Sequence, residues 1–261
     1  MVLLLVLILG GLAFLAERRW PARPLRRVRG WWPRVFALNL GQLGAVLLVG
    51  RSLDPWLRQS AHGLAGWSPW SQGVAAYLVS CVAYYLWHRA RHASPSLWRW
   101  VHQTHHAPER IEVAMAFYKH PLEALANGVL SSALAYGLLG CSSEGAAVYT
   151  LLAGAAELFY HLNLRTPVWL GYWIQRPEMH RVHHERGSHS RNYADLPLLD
   201  ILGGTFYNPG PEEEVQCGLG PALEDRFEDQ LLGRDLEQIA NQPPTRFLPS
   251  WLGAGEEVAR D

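Results

Sequence analysis

The segments HQTHH at residues 102–106 and HRVHH at residues 180–184 share one spacing, in which two histidines follow the first by three and four positions. A related segment, HRARH at residues 88–92, places two histidines four positions apart at the end of an apolar run. Residues three or four positions apart on a helix lie on one face, with Cβ atoms roughly 5–6 Å apart. Each segment therefore predicts a helix that presents two or three imidazoles to one point.

The histidines of this chain are concentrated, since 11 of the 12 lie between residues 88 and 189. Imidazole is a ligand for iron, zinc, copper and nickel. The eight histidines of the three segments exceed the four ligands of a tetrahedral zinc ion and suit two metal ions. A surface histidine that senses pH would not need this spacing, and a metal centre is the favoured interpretation.

The composition is typical of a membrane protein. The 261 residues are 49% hydrophobic and only 18% charged, below the roughly 25% of soluble domains. Five apolar runs cover residues 2–16, 35–50, 72–87, 121–139 and 146–160. A membrane span needs about 20 apolar residues, with about 17 as the lower limit. The runs therefore predict a multi-pass protein, and 2–16 and 146–160 are either thin or tilted spans or partly re-entrant segments.

Arginine placement predicts the orientation. Residues 17–34 hold seven arginines and no lysine, and such loops face the cytoplasm. The histidine-rich residues 88–120 and the chain from residue 161 are separated by an even number of crossings. We therefore expect the metal site on the cytoplasmic face of the membrane.

Other site classes find little support in the sequence. The formal net charge is zero and no basic patch is interleaved with aromatic residues, which argues against a nucleic-acid partner. The cysteines, Cys81, Cys141 and Cys217, are scattered and form no C-x-x-C motif. This spacing favours neither a zinc ribbon, nor an iron–sulfur cluster, nor a disulfide framework.

We divide the chain into three regions. Residues 1–71 contain the N-terminal membrane helices and the arginine-rich loop, and residues 72–207 contain every histidine segment. Residues 208–261 form an acidic, proline-rich cytosolic tail. Apolar residues at helical spacing in 221–240 predict one amphipathic helix in this tail.

The three histidine segments resemble those of the fatty acid hydroxylase and sterol desaturase superfamily of membrane di-metal enzymes. YKHPLEAL (118–125), YHLNLRTP (160–167) and NYADLPLLDILGGTF (192–206) are similar to further signatures of that superfamily. The resemblance covers residues 72–207 and implies a non-haem di-iron centre that activates O₂ to oxidise C–H bonds of lipids. One position departs from it: Cys81 stands where the family often has an acidic residue, a possible partner of the first histidine.

The resemblance also implies the roles of individual residues. The implied metal ligands are His88, His92, His102, His105, His106, His180, His183 and His184, with His161 as a ninth. His120 matches a position that is either a tenth ligand or a hydrogen-bond donor beside the metals, and His189 is expected on the surface. Glu157 lies one turn before His161 in an apolar run, where a carboxylate is costly, and is the expected partner of that imidazole. Asp195 and Asp200 are weaker candidates, for which capping or turn formation is an equal alternative.

Together these features predict an all-α integral membrane bundle with a cytosolic helical cap that holds two iron ions. Hydroxylation of a lipid or sterol-like substrate is the favoured activity. The alternatives are a desaturase that uses the same centre and a non-catalytic metal-binding membrane protein. Because the sequence has no G-x-G-x-x-G motif and no cytochrome-like histidine pair, we expect a separate ferredoxin- or cytochrome-type donor with its reductase. Residues 17–34 and the arginines at 176, 181, 186 and 191 are expected to contact this donor, and binding of lipid headgroups is an equal alternative.

Overall fold

A computed structural model of the chain describes residues 2–59, 63–64, 66–210 and 212–249. This part is helical, without a β-strand, and so confirms the prediction of an all-α fold. His62 and the end of the predicted tail, residues 250–261, lie outside the described residues.

The helices follow the predicted apolar runs. In chain order they are α1 (Val2–Arg19), α2 (Trp31–Ser52), α3 (Asp54–Leu57), α4 (Pro69–Ala93), α5 (Pro95–Leu97), α6 (Gln103–His106), α7 (Pro121–Ser132), α8 (Ser143–Tyr160), α9 (Pro177–His183), α10 (Pro197–Gly203), α11 (Pro221–Glu224) and α12 (Phe227–Leu231). π-Helices occupy Trp98–His102 and Ala133–Leu138, and 3₁₀ turns occupy Val113–Met115 and Val168–Tyr172.

Serine side chains define the starts of two long helices. The Ser68 hydroxyl accepts a hydrogen bond from the Ser71 amide at the start of α4, and Pro69 occupies the first helical position. The Ser142 hydroxyl accepts the Gly145 amide at the start of α8. Both contacts satisfy amides that have no partner within the helix, a role for which serine is preferred.

Five long segments form the bundle: α1, α2, α4, α7 with the π-helix that continues it, and α8. Helix α8 packs against α1 and α4, and α2 packs against α7. Glycines permit the close contact of α4 with α8, because a Cβ atom at Gly73 would lie 2.4 Å from Val148 and one at Gly145 would lie 2.3 Å from Gln72. The imidazole side chains collect at one end of this bundle, where α4 and α8 end.

Large apolar side chains cover the outside of the bundle. Leu7 of α1, Phe36 of α2 and Leu86 of α4 are each more than 60% exposed. A soluble monomer rarely exposes a continuous apolar surface of this extent. Among the described helices, one segment, Trp31–Leu57, is both long and apolar enough to cross a membrane by itself.

The C-terminal tail differs from the sequence prediction. In place of one amphipathic helix over 221–240, the structure has the short helices α11 and α12, followed by turns. The chain turns at Gly233, which has a left-handed φ of 60°, and a Cβ atom there would lie 2.4 Å from the Trp100 ring. The tail packs against the first H-x-x-H-H segment, since the Gln103 side chain donates to the Arg234 carbonyl and accepts from the Leu236 amide. The predicted single helix was wrong because this contact requires a turn.

Candidate metal centre

Nine histidines form two adjacent groups. Group A contains His88, His92, His102, His106 and His183, and group B contains His105, His161, His180 and His184. Within each group, the nearest ring nitrogens all lie within 4.8 Å of one another. All nine are residues for which the sequence predicted metal binding.

The two H-x-x-H-H segments contribute to both groups in a reciprocal way. The first gives its outer pair, His102 and His106, to group A and its middle histidine to group B. The second gives its outer pair, His180 and His184, to group B and its middle histidine to group A. The rings of His106 and His184 stack between the groups, with centroids 4.1 Å apart and planes inclined by 16°. Each segment therefore divides its imidazoles between two points.

Local backbone structure supports this division. The first segment starts at His102, the last residue of a π-helix at Trp98–His102, and such single wide turns in a helix are frequent at functional sites. The second segment lies at the end of α9, which begins at Pro177, a favourable first residue for a helix, and ends at His183. His161 follows the last residue of α8, so that the end of a long helix delivers it to group B.

Backbone carbonyls determine where four of the imidazoles carry their proton. The Nδ1 atoms of His88 and His183 lie 2.8 Å and 2.7 Å from the carbonyl oxygens of Tyr193 and Arg191. Those of His105 and His161 lie 3.2 Å and 2.8 Å from the carbonyls of Tyr118 and Glu157. A carbonyl oxygen only accepts, so each Nδ1 must donate a hydrogen. In the neutral ring, Nε2 then holds a bare lone pair that points into the site.

These lone pairs face one another without hydrogens between them. The Nε2 atoms of His105 and His161 are 3.4 Å apart, and both rings use Nδ1 as the donor. In group A, the Nε2 atoms of His88 and His183 are buried without a hydrogen-bond partner. Buried polar atoms without partners are costly, and a cation between the lone pairs removes that cost. The donor set therefore fits a metal ion in each group.

Burial keeps the imidazoles neutral. Desolvation lowers the pKa of His183 to about 3 and that of His161 to about 4. Desolvation and the neighbouring imidazoles also lower the pKa values of His106, His180 and His184 well below the usual range. Neutral imidazole is the form that binds metals, so the site is ready for metal at neutral pH.

A carboxylate that we did not predict orients His102. The Nδ1 atom of His102 lies 3.0 Å from Oε1 of Glu123, a fully buried side chain that also pairs with the Arg91 guanidinium. Carboxylates in this position fix the ring and increase its basicity as a ligand. The signal was present in the sequence, because Glu123, like Glu157, is a carboxylate in an apolar run.

Glu157 contacts His161 mainly through its main chain. Its carbonyl oxygen accepts from Nδ1 at 2.8 Å, whereas its carboxylate Oε1 lies 3.8 Å from that atom. The carboxylate instead pairs with Lys119 at 2.9 Å.

His120 belongs to neither group. Its Nδ1 atom accepts the Leu122 amide at the start of α7, and its Nε2 atom lies 3.2 Å from the Leu231 carbonyl of the tail. In this arrangement His120 caps a helix and joins it to the tail.

The two aspartates differ in their environments. Asp200 accepts the amides of Tyr193 and Ala194 and the Thr205 hydroxyl, so it shapes a turn, as the alternative interpretation held. This turn presents the Tyr193 carbonyl to the Nδ1 atom of His88. Because His88 has this backbone partner, it does not depend on an acidic side chain at position 81, where this chain has Cys81. Asp195 lies 3.4 Å from the Tyr77 hydroxyl, and desolvation raises its pKa to about 7.

Two expectations about the surface of the site were wrong. His189 is half-buried, with its ring centroid 4.7 Å from that of His106, because the loop after α9 folds back over group A. Arg176 and Arg181 are buried, since Arg176 donates to Thr166 and Asn208 and Arg181 lies beside Glu178. These two arginines therefore offer little exposed charge to an electron donor.

Comparison with known proteins gives the same family as the histidine segments. Over 132 residues, which are 49% of this chain and 45% of the relative, the chain is 24% identical to the sphingolipid C4-hydroxylase sur2 of Schizosaccharomyces pombe. Over 205 residues, which are 74% of this chain and 61% of the relative, it is 28% identical to the ornithine lipid hydroxylase OlsE of Rhizobium tropici. The chain thus spans between 45% and 61% of the length of these relatives.

No solved structure shows significant similarity to the chain. The sequence profile of the fatty acid hydroxylase family matches residues 73–205, which include all nine histidines of groups A and B. The predicted resemblance is confirmed, and the chain belongs to the fatty acid hydroxylase family.

Proposed function

We propose that this chain is a membrane-bound, O₂-dependent lipid hydroxylase with one iron ion in group A and one in group B. The observation that carries the proposal is the pair of adjacent histidine groups whose bare Nε2 atoms converge. Family membership supports the reaction class, because the two relatives named above are both lipid hydroxylases. Zinc fits imidazole equally well, but it has no redox chemistry and cannot support this reaction.

When bound, the iron ions supply the redox chemistry that activates O₂ for insertion into a C–H bond. The chain contributes fixed geometry: the carbonyls of Tyr193, Arg191 and Tyr118 hold three rings through Nδ1. Glu123 holds His102 in the same manner and balances the Arg91 charge. Burial of the rings excludes water, so that ligands are not lost to protonation near neutral pH.

For the substrate we propose a membrane lipid with a long acyl or alkyl chain. The names of the relatives specify a sphingolipid and an ornithine lipid, which share such chains and differ in their headgroups. The exposed apolar surfaces of α1, α2 and α4 support a multi-pass placement in the membrane, with the histidine end at the cytoplasmic surface. A lipid lying in the bilayer could then reach the metals with its chain.

Hydroxylation requires a source of electrons. One O₂ molecule, two electrons and two protons convert R–H into R–OH and one water molecule. Within the described residues we find no second cofactor site that could deliver electrons, so we propose a separate ferredoxin- or cytochrome-type donor with its reductase.

The decisive experiment uses iron-loaded protein in lipid vesicles, with a reductase system and isotopically labelled O₂. We expect one labelled oxygen atom in the lipid product, detected by mass spectrometry. His105→Ala removes a group B ligand and should abolish product formation. Arg51→Ala is the control and should retain it, because Arg51 is exposed at the far end of α2. Product with a new double bond and no label would show a desaturase, and tight iron binding without O₂ consumption would show a metal-binding protein.

A further inference from the structure

An uncovered apolar surface lies beside the metal centre, outside the five bundle segments. It is formed by the 3₁₀ turn after residue 167 and by α10, and we call it the apolar ledge. Its side chains are Val168, Trp169, Tyr172, Trp173, Leu198, Ile201 and Leu202. Trp173 and Leu202 are 73% and 76% exposed. Contiguous exposed apolar groups of this size mark a contact with a protein or a membrane.

The ledge has no exposed charge. Residues 166–175 contain no Asp, Glu, Lys or Arg, and residues 196–204 contain one, Asp200. The Asp200 side chain is fully buried, and its oxygens accept hydrogen bonds from the adjacent turn. Arg176, at the edge of the ledge, is also fully buried. One exposed charge from another helix adjoins the ledge: the Arg89 guanidinium of α4 lies beside Gly203 at the end of α10, where it donates to the Tyr85 hydroxyl.

The ledge adjoins the outer surface of α4. Helix α10 is fixed against the end of α4, because a Cβ atom at Gly203 would lie 1.8 Å from the Tyr85 hydroxyl. On α4, the exposed side chains of Val82 and Leu86 flank Tyr85 in sequence. The apolar outer surface of α4 therefore lies next to the ledge, with Arg89 at their junction.

We propose that the apolar ledge is inserted into the interfacial region of the lipid bilayer. Tryptophan and tyrosine are enriched at that depth, where an aromatic ring contacts acyl chains and its polar atom reaches the headgroups. Proximity to α4 favours a lipid surface over a protein partner, because the same bilayer covers both parts. The placement differs from that predicted by the sequence, which put the whole chain after residue 161 in the cytosol.

The ledge is attached to metal group A through a short, ordered segment. Asp200 in α10 holds the turn that directs the Tyr193 carbonyl to His88. The Gln175 amide, next to the ledge, donates to the Asp195 carbonyl in the same segment. Insertion of the ledge would thus set the depth of the metal centre relative to the bilayer and bring it to the surface from which a lipid chain enters.

The test measures the depth of single cysteines labelled with a fluorophore. Leu202→Cys and Trp173→Cys report on the ledge, Leu86→Cys on the bundle, and Ser190→Cys on an exposed loop that we place in water. Cys81, Cys141 and Cys217 are buried, so unaltered protein gives the labelling background. Each variant is placed in phosphatidylcholine vesicles that carry a nitroxide on the acyl chain, and iodide serves as the aqueous quencher. Unchanged metal content per chain shows that each variant is folded.

We expect positions 202 and 173 to lose most of their emission to the lipid nitroxide and little to iodide, as position 86 does. Position 190 should show the reverse. If positions 202 and 173 respond like position 190, the ledge is exposed to water and the proposal is wrong. If neither quencher reaches them and the labelled chains can be crosslinked to one another through this surface, a second copy covers the ledge, and the proposal is again wrong.

Discussion

At the scale of single residues, membership in a metal group is determined by the direction in which a ring nitrogen points. His161 and His120 both follow the pattern of the family, yet only His161 has Nε2 among other imidazoles. We expect His161→Ala to lose one of the two proposed metal ions per chain, because group B would keep three imidazoles. Elemental analysis of purified protein measures this loss.

His120→Ala is the matched control for that measurement. His120 accepts the Leu122 amide at the start of α7, so its loss should cost about 0.5–2 kcal/mol of stability, the usual cost of a lost helix cap. Metal content should remain that of the wild type. If His120→Ala lost a metal ion and His161→Ala did not, His120 would be the ligand and His161 would not, and both assignments would be wrong.

A carboxylate lies beside each histidine group, Glu123 at group A and Glu157 at group B. Glu123→Gln removes the charge that His102 and Arg91 share, and losses of such partners commonly lower metal affinity about 10- to 100-fold. Glu157→Gln should have a smaller effect, because the carbonyl of residue 157 holds His161 and is retained. Competition with a calibrated chelator gives both affinities. Equal losses would show that the Glu157 carboxylate also acts on its imidazole.

Metal-free protein should lose stability as the pH falls from 7 towards 4. The usual pKa of histidine is 6.5, whereas burial lowers that of His161 to about 4 and that of His183 to about 3 in the folded chain. In this window the unfolded chain binds protons that the folded chain does not, which favours unfolding. Each such histidine contributes up to about 1.4 kcal/mol per pH unit. Denaturant unfolding of chelator-treated protein at several pH values tests this, and a flat profile between pH 7 and 5 would contradict it.

At the scale of helices, the positions of the helices could be predicted from the sequence more accurately than the contacts between them. Apolar runs longer than three helical turns specify helices by themselves, and the spacing of His88 and His92 depends only on helix geometry. The contact of Glu123 with His102 and that of Tyr193 with His88 join segments far apart in sequence, and no local pattern encodes them. The tail was predicted wrongly for the same reason, because Gly233 turns to accommodate Trp100, more than a hundred residues earlier.

The contact between α4 and α8 gives a prediction at this scale. Gly73→Ala would place a methyl group 2.4 Å from Val148 and 2.9 Å from the Tyr149 amide, so the two helices must separate. We expect a loss of about 1–3 kcal/mol, the usual cost of overpacking. Gly44→Ala in α2 meets nothing within 4 Å and should be neutral or slightly stabilising, because alanine favours helix by about 0.5–1 kcal/mol. Thermal unfolding in detergent compares them, and equal stability of the two variants would contradict the close packing.

At the scale of the whole molecule, the bundle carries its chemistry at one end. Helices α4 and α8 end beside the metal groups, and the tail covers the first H-x-x-H-H segment through Gln103. The histidines of the two groups come from several segments between residues 88 and 184, so neither group can form until distant helices have packed. The sequence predicted which imidazoles take part, but their division between two groups depends on this packing.

Dependence on a separate electron donor is the prediction for the proposed hydroxylase activity. With substrate, O₂ and NAD(P)H, sustained turnover should appear only when a reductase system is added. The remaining candidates for donor contact are the exposed arginines of the loop between α1 and α2, together with Arg186 and Arg191, since Arg176 and Arg181 are buried. Opposite charges accelerate encounter, and salt screens them over a Debye length of about 10 Å at 0.1 M.

Arg27→Glu tests this contact directly. Arg27 is exposed beside Arg18 and Arg110, and reversal of its charge should raise the donor concentration needed for half-maximal turnover while metal content stays constant. Arg51→Glu is the control, because Arg51 is also exposed but lies at the other end of the 22-residue α2, roughly 30 Å away at 1.5 Å per residue. Equal donor dependence in both variants, with a rate that does not change with salt, would place the donor on another surface. Sustained turnover without any donor would show that this chain transfers electrons by itself.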